Sequence, residues 1–61
     1  MHDYGFVGMR IKALYSNGRW FVGKIEHYNV VMNEYKVVFD DESVDYIRPD
    51  EIDGVEVMLL S

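Results

Sequence analysis

Three aromatic residues and one acidic residue stand at the ends of short apolar segments. They are Tyr15, Phe21, Phe39 and Asp41. A methylated ammonium group keeps its charge but spreads it over apolar methyl groups, so it favours aromatic ring faces by about 0.5–2 kcal/mol per well-placed ring. A nearby carboxylate can accept a charge-assisted hydrogen bond from any N–H that such a group retains. These residue types therefore predict a binding module for a methylated cation, with micromolar affinity.

The elements that must position these residues are strands. β-Branched and aromatic residues concentrate in short segments that turn residues separate, which predicts an all-β chain. Asn17-Gly18 predicts the first hairpin turn, because both residues tolerate the positive φ that tight turns need. The predicted strands are residues 9–15, 19–27, 34–39, 43–47 and 55–60, and a 3₁₀ turn is predicted at 48–52, with a proline near its start.

Alternation along the strands leaves a second interpretation of the aromatic residues. In the first predicted strand Tyr15 shares a face with Ile11, and in the third Phe39 shares a face with Val37. Taken singly, each of these rings is more often part of a core than of a ligand site. Trp20 is predicted to be a core residue on the face opposite Phe21. Only the joint placement of the rings favours a cage.

Five short strands with one 3₁₀ turn before the last predict a small five-stranded SH3-like barrel. The chain has 61 residues, which is enough for one domain. A domain of this size buries only about 60% of the surface that its unfolded chain exposes, which leaves little core to support a catalytic cleft. We predict an N-terminal tail at residues 1–7 and a single barrel at residues 8–61, cut from a larger protein.

The charge balance indicates the class of partner. Eleven acidic residues against six basic ones give a net charge of −5. A protein that binds the phosphate backbone is expected to be basic, so no direct nucleic-acid binding is expected. An acidic surface attracts a basic peptide. No apolar run approaches the roughly 18 residues of a membrane span, so no membrane association is expected.

Catalytic and metal-binding chemistry finds no support in the sequence. Cysteine is absent, and His2 and His27 are isolated, which argues against a zinc site. Counted as a calcium loop from Asp41, the sixth position is Tyr46, where glycine is required, and the twelfth is Ile52, where glutamate is required. No serine has a histidine base near it in sequence. We expect no enzyme activity, no metal and no cofactor.

The ordered set of segments resembles the Tudor family over nearly the whole chain. Within that family it is most similar to the first Tudor of the tandem pair in DNA-damage checkpoint mediators. The resemblance implies a reader of methylated lysine, chiefly dimethyl-lysine on a histone tail, that acts on chromatin in the nucleus and in the DNA damage response. The segments that carry it are residues 6–10, 17–18, 23–25, 35–41 and 50–52.

The resemblance also implies a role for particular residues. The aromatic cage of the family falls on Tyr15 at the end of strand one, on Phe21 in strand two and on Phe39 at the end of strand three. The acidic residue that accepts a hydrogen bond from the methylammonium falls on Asp41. If that role holds, Asp41 sets the preference for dimethyl-lysine over trimethyl-lysine.

The fourth aromatic residue of the family cage is not matched. It falls at Ser43 or Asp45, and neither is aromatic. Tyr46 takes its place if the fourth strand carries a bulge; otherwise the cage is open on one side.

Two alternative functions and one question of assembly remain open at the level of sequence. The first alternative is an SH3-like scaffold that binds a partner without methyl-lysine. The second is a methylarginine reader, whose flat guanidinium needs a narrow slot with parallel aromatic walls. Residues 55–60 are predicted either as strand five or as the lead into a second Tudor fold, and in the latter case exposed apolar surface favours a homodimer.

Overall fold

The computed structural model describes residues 3–60, so residues 1, 2 and 61 of the predicted tail and barrel lie outside it. The strands are β1 (Arg10–Leu14), β2 (Trp20–Asn29), β3 (Glu34–Phe39), β4 (Val44–Ile47) and β5 (Val57–Leu59), and 3₁₀ turns lie at Asp3–Phe6 and Pro49–Glu51. The predicted small five-stranded all-β fold, with a 3₁₀ turn before the last strand, is confirmed. Within residues 3–60, no helix has the length and apolar character needed to cross a membrane.

The five strands form one antiparallel sheet in the order β4-β3-β2-β1-β5. β2 is the central strand: its residues 20–24 pair with β1, and its residues 23–29 pair with β3, with a register shift between Ile25 and His27. Because one long strand serves two ladders in succession, the sheet bends around it, as in small SH3-like folds. β4 and β5 are the two edge strands of the described sheet.

Alternate side chains of the strands fill the core. Ile11 and Ala13 of β1 are 0% and 3% exposed, as their predicted shared face requires. β3 alternates between buried and half-buried positions. Burying each aliphatic side chain of this size contributes about 1.5–3 kcal/mol. The core consists of Ile11, Ala13, Ile25, Tyr35, Val37, Phe39, Ile47 and Ile52.

The segment predicted as an N-terminal tail packs against the sheet where the structure describes it. The 3₁₀ turn Asp3–Phe6 places the Phe6 ring edge-on to Tyr35, with 5.8 Å between the ring centroids. The Gly8 N–H donates a hydrogen bond to the Ile25 carbonyl at 2.7 Å. These contacts fix the chain entry to β1.

The first hairpin turn forms at Asn17-Gly18, as its residues predict. Gly18 has a φ of +80°, and its N–H donates to the Tyr15 carbonyl at 2.8 Å. The Arg19 N–H donates to Asn17 Oδ1 at 2.9 Å. The turn therefore holds Tyr15 in a defined place just beyond the end of β1.

The prediction that Trp20 is a core residue is wrong. Its side chain is 42% exposed, and Lys12 Nζ lies 4.6 Å from the ring centroid. The reason is the register of the hairpin, which pairs Phe21 with buried Ala13 and so leaves the preceding residue, Trp20, on the outer face. The cation–π contact gives the outward-facing indole a partner on β1.

Candidate ligand-binding site

The rings of Tyr15, Phe21 and Phe39 meet at one end of the sheet. Their centroids are 5.3 Å apart for Tyr15 and Phe21, 5.9 Å for Tyr15 and Phe39, and 6.1 Å for Phe21 and Phe39. The angles between the ring planes are 76°, 80° and 66° in the same order. Three rings inclined to one another by 66° to 80° form a corner, and edge-to-face contact of this kind is favourable in itself.

The backbone brings these rings together through close packing at Gly23. The register aligns Ile11, Gly23 and Phe39 across three strands. A Cβ at Gly23 would lie 2.8 Å from Phe39 Cδ1 and 2.7 Å from the Val38 carbonyl oxygen. Glycine at this position therefore lets the Phe39 ring lie directly against β2, next to Phe21, which is on the same face two residues earlier.

These rings line a pocket and also belong to the core. Phe39 is 5% exposed, whereas Tyr15 and Phe21 are half-buried and pack against the core. Phe39 therefore forms the floor of a concavity of about 330 Å³, and the other two rings form walls. We call this concavity the aromatic pocket; its lining residues are Tyr15, Phe21, Phe39, Ser43, Val44 and Asp45.

The carboxylate of the aromatic pocket is that of Asp45, one of the two positions at which the resemblance placed the fourth aromatic residue. Its Oδ2 accepts a hydrogen bond from the Tyr15 hydroxyl at 2.5 Å, and its Oδ1 accepts one from the Tyr46 N–H at 2.7 Å. Two donors fix its position, yet each carboxylate oxygen can still accept a further bond. The alternation of the strand was the signal in the sequence. Asp45 lies two residues before buried Ile47, so both side chains are on the same face of β4.

The environment of Tyr15 keeps its hydroxyl protonated. Burial, the hydrogen bond to Asp45 and the negative charge of Asp45 together raise the pKa of Tyr15 well above its usual value. The hydroxyl therefore remains a donor to Asp45 at physiological pH. The pair forms a stable polar wall beside the rings.

The structure places Asp41 in the turn between β3 and β4. Its Oδ1 accepts hydrogen bonds from the Ser43 hydroxyl at 2.6 Å and the Ser43 N–H at 3.0 Å. These bonds lower the pKa of the exposed Asp41 carboxyl. Asp41 is not among the described residues that line the aromatic pocket.

Tyr46 also lies outside the aromatic pocket. The β3–β4 ladder runs in regular register, without the bulge on which a cage role for Tyr46 depended. Its ring is 55% exposed and lines a neighbouring groove of about 500 Å³, which we call the acidic groove. The groove is lined by Ala13, Leu14, Tyr15, Asp45, Tyr46, Ile47, Asp50, Glu51, Gly54, Val55, Glu56 and Val57.

Comparison with known proteins identifies the fold. No protein-family model matches the sequence, and no curated protein matches it significantly. A solved structure does match: the Arabidopsis RDM15 tudor domain in complex with an H3K4me1 peptide, with a TM-score of 0.80 and 20% sequence identity. The chain has a Tudor-like fold. The match covers 98% of this Tudor-like domain and 100% of the RDM15 chain, so the shared architecture extends from end to end.

Proposed function

We propose that this Tudor-like domain binds a methylated lysine in a histone tail, and that the aromatic pocket holds the methylammonium group. The observation that carries the proposal is the corner of three rings beside the Asp45 carboxylate. Negative ring faces and a fixed carboxylate are complementary to a cation whose surface is largely apolar. The neighbouring structure supports the proposal, since that tudor domain is in complex with a methylated histone H3 peptide.

The angles between the rings favour methyl-lysine over methylarginine. A flat guanidinium is best held between parallel aromatic walls, but the three rings that line this pocket are inclined to one another by 66° to 80°. A rounded methylammonium contacts all three faces of such a corner. The pocket shape therefore supports a lysine ligand.

We propose that Asp45, rather than Asp41, distinguishes methylation states. Monomethyl- and dimethyl-ammonium groups retain an N–H that can donate to a carboxylate, whereas trimethyl-ammonium retains none. Asp45 lines the pocket, and Asp41 is bonded to Ser43 in the turn. We expect dimethyl-lysine to bind more tightly than trimethyl-lysine.

The binding free energy from the three ring contacts is too small for micromolar affinity, so the peptide backbone or the residues near the lysine must contribute as well. At about 0.5–2 kcal/mol per ring, three rings supply roughly 1.5–6 kcal/mol. Micromolar binding corresponds to about 8 kcal/mol. The remainder must come from Asp45 and from contacts outside the aromatic pocket.

Histone peptides that differ only in lysine methylation test the proposal. The domain is titrated with unmodified, mono-, di- and trimethyl-lysine peptides while its amide NMR shifts are followed. We expect methylation-dependent shifts centred on Tyr15, Phe21 and Phe39. Equal shifts with the unmodified peptide, or no shifts, would contradict the proposal.

A matched pair of aromatic variants makes this titration specific. Phe21→Ala removes one wall of the aromatic pocket and is expected to weaken dimethyl-lysine binding at least roughly five-fold, from the loss of one cation–π contact and of pocket shape. Trp20→Ala removes a ring on the outer face and is expected to leave the affinity unchanged. Equal losses in both variants would count against the pocket.

A second candidate function is a docking scaffold that binds without methyl-lysine. The tip of the β2–β3 hairpin favours it, since Val30, Val31 and Met32 are 62%, 90% and 57% exposed. Shifts confined to these residues, and equal for all peptides, would select this function.

The cellular setting follows from the proposed ligand. A module that binds methylated histone tails acts on chromatin, so we propose a nuclear location. The proposed role in DNA-damage signalling rests on the sequence resemblance to checkpoint mediators.

A further inference from the structure

We infer that the acidic groove binds an arginine that lies near the methylated lysine in the same peptide. The inference rests on the proposed function and adds sequence selectivity to it. The domain would then read two features of its ligand, a methylated lysine and a basic neighbour.

The position of the groove connects it to the aromatic pocket. Tyr15 and Asp45 line both concavities, and the hydrogen bond between them forms the wall that separates them. An extended peptide advances about 3.3 Å per residue, so a residue one to three positions from the lysine lies within roughly 10 Å of it. A peptide whose lysine occupies the pocket can therefore place a neighbouring side chain in the groove.

Residues from both edge strands of the described sheet line the groove. It is bounded by Asp45, Tyr46 and Ile47 of the edge strand β4 and by Val57 of the edge strand β5. The chain between the second 3₁₀ turn and β5 forms its remaining side. The groove has a volume of about 500 Å³, which leaves room for a long side chain.

The lining of the groove is complementary to a cation. Among the described residues that line it, none is lysine or arginine, and four are acidic: Asp45, Asp50, Glu51 and Glu56. Glu51 Oε1 accepts a hydrogen bond from the Arg48 N–H at 3.1 Å and so helps to fix the 3₁₀ turn. Asp50 and Glu56 are exposed at the groove and available to a basic side chain.

The apolar part of the lining favours arginine over lysine. Leu14, Val55 and Val57 line the groove together with the Tyr46 ring, which is 55% exposed. A guanidinium is planar, stacks on an aromatic face and bonds a carboxylate with two parallel N–H groups, whereas an ammonium is a compact and strongly hydrated charge. An acidic groove with an exposed aromatic wall therefore fits the arginine side chain.

A pair of peptides that differ only in the charge of two residues tests the inference. Both peptides carry dimethyl-lysine, and the varied residue stands two positions before it and again two positions after it. This residue is arginine in one peptide and citrulline, its neutral analogue, in the other. We expect the wild-type domain to bind the arginine peptide roughly three- to ten-fold more tightly, the range for two partly exposed ion pairs.

Two double variants identify where the discrimination arises. Asp50→Asn with Glu56→Gln removes two groove charges and is expected to abolish the preference for arginine. Glu26→Gln with Glu34→Gln makes the same change in net charge on β2 and β3, outside the groove, and is expected to retain the preference. Amide spectra of both variants confirm folding before the titrations.

The outcomes separate this inference from the proposed function. The inference would be overturned if the groove variant keeps the wild-type preference for arginine over citrulline, or if both double variants lose that preference equally. The proposed function would still stand as long as the citrulline peptide binds better when its lysine is methylated. If methylation changes the affinity of neither peptide, the proposed function fails and the inference fails with it.

Discussion

At the scale of single residues, the contact between Tyr15 and Asp45 determines the chemistry of the pocket. Asp45 accepts two hydrogen bonds within the protein, from the Tyr15 hydroxyl and the Tyr46 N–H. These bonds orient the carboxylate without neutralising it. An oriented carboxylate beside ring faces loses little side-chain entropy on binding, so its contribution to recognition is larger than that of a mobile acid.

Exchange of each acid for its amide distinguishes the two candidate acceptors. Asp45→Asn is expected to reduce the ratio of dimethyl- to trimethyl-lysine affinity to about one, since a neutral amide is a weaker acceptor than a carboxylate. Asp41→Asn serves as the control and is expected to retain the ratio. Calorimetric titration with both peptides measures it. If Asp41→Asn abolishes the preference for dimethyl-lysine and Asp45→Asn does not, Asp41 is the acceptor, as predicted from the sequence.

The ionisation of Tyr15 reports on the same contact. A pKa raised in the folded state means that the protonated hydroxyl contributes stability that is fully present below the unfolded pKa of about 10 and is lost as pH rises above it. Asp45→Asn removes the charge that raises this pKa and leaves only a weaker acceptor, although burial remains. We expect the Tyr15 ring resonances of Asp45→Asn to titrate at lower pH than those of wild type. An unchanged titration would contradict the role of Asp45.

At the scale of elements, the meeting of β2 and β3 places the ring corner. Gly23 pairs with Phe39, and its missing side chain leaves room for the Phe39 ring. The hairpin turn at Asn17-Gly18 then returns the chain so that Phe21 faces Tyr15. The pocket is thus built from strand ends, where side chains can belong to the core and to the surface at once.

Substitution of this glycine is expected to disturb fold and site together. Gly23→Ala places a methyl group within 2.8 Å of Phe39 Cδ1, and overpacking of this kind costs about 1–3 kcal/mol. Gly5→Ala is the control, because nothing lies within 4 Å of a Cβ there. Urea unfolding measures the stability of both variants. Equal stability would show that β2 and β3 accommodate the extra carbon without strain.

The elements followed from local sequence signals, but the pocket carboxylate did not. Alternation in residues 9–15 and the Asn17-Gly18 turn are local, so strand faces and the first hairpin were predictable. Which of Asp41 and Asp45 lines the pocket depends on how the β3–β4 turn folds. In that turn Ser43 donates two hydrogen bonds to Asp41. The exposure of Trp20 depends likewise on the register with β1, which Ala13 and Phe21 determine together.

At the scale of the whole molecule, the net charge of −5 and the acidic groove both favour the approach of a basic peptide. An acidic surface raises the local concentration of a basic peptide and accelerates its association. Ring contacts, by comparison, are short-ranged and little affected by salt. We therefore expect charge to supply the affinity for the basic segment and the aromatic pocket to supply the dependence on methylation.

Ionic strength separates these two contributions. Between low salt and about 1 M salt, the screening length falls from about 30 Å to 3 Å, so affinity for a basic dimethyl-lysine peptide is expected to fall several-fold. The ratio of methylated to unmodified affinity is expected to persist. Fluorescence anisotropy with labelled peptides measures both. A ratio that disappears together with the affinity would mean that the methyl groups are not held by the rings.

The most direct test of methyl-lysine binding in the aromatic pocket is the proton NMR shift of the N-methyl groups of a bound dimethyl-lysine peptide. Methyl groups enclosed by the faces of Tyr15, Phe21 and Phe39 would experience ring currents from all three rings, so we expect a clear upfield shift that shrinks in Phe21→Ala. N-methyl resonances that stay at their free-peptide positions when the domain is saturated would show that the methylammonium is not in the aromatic pocket.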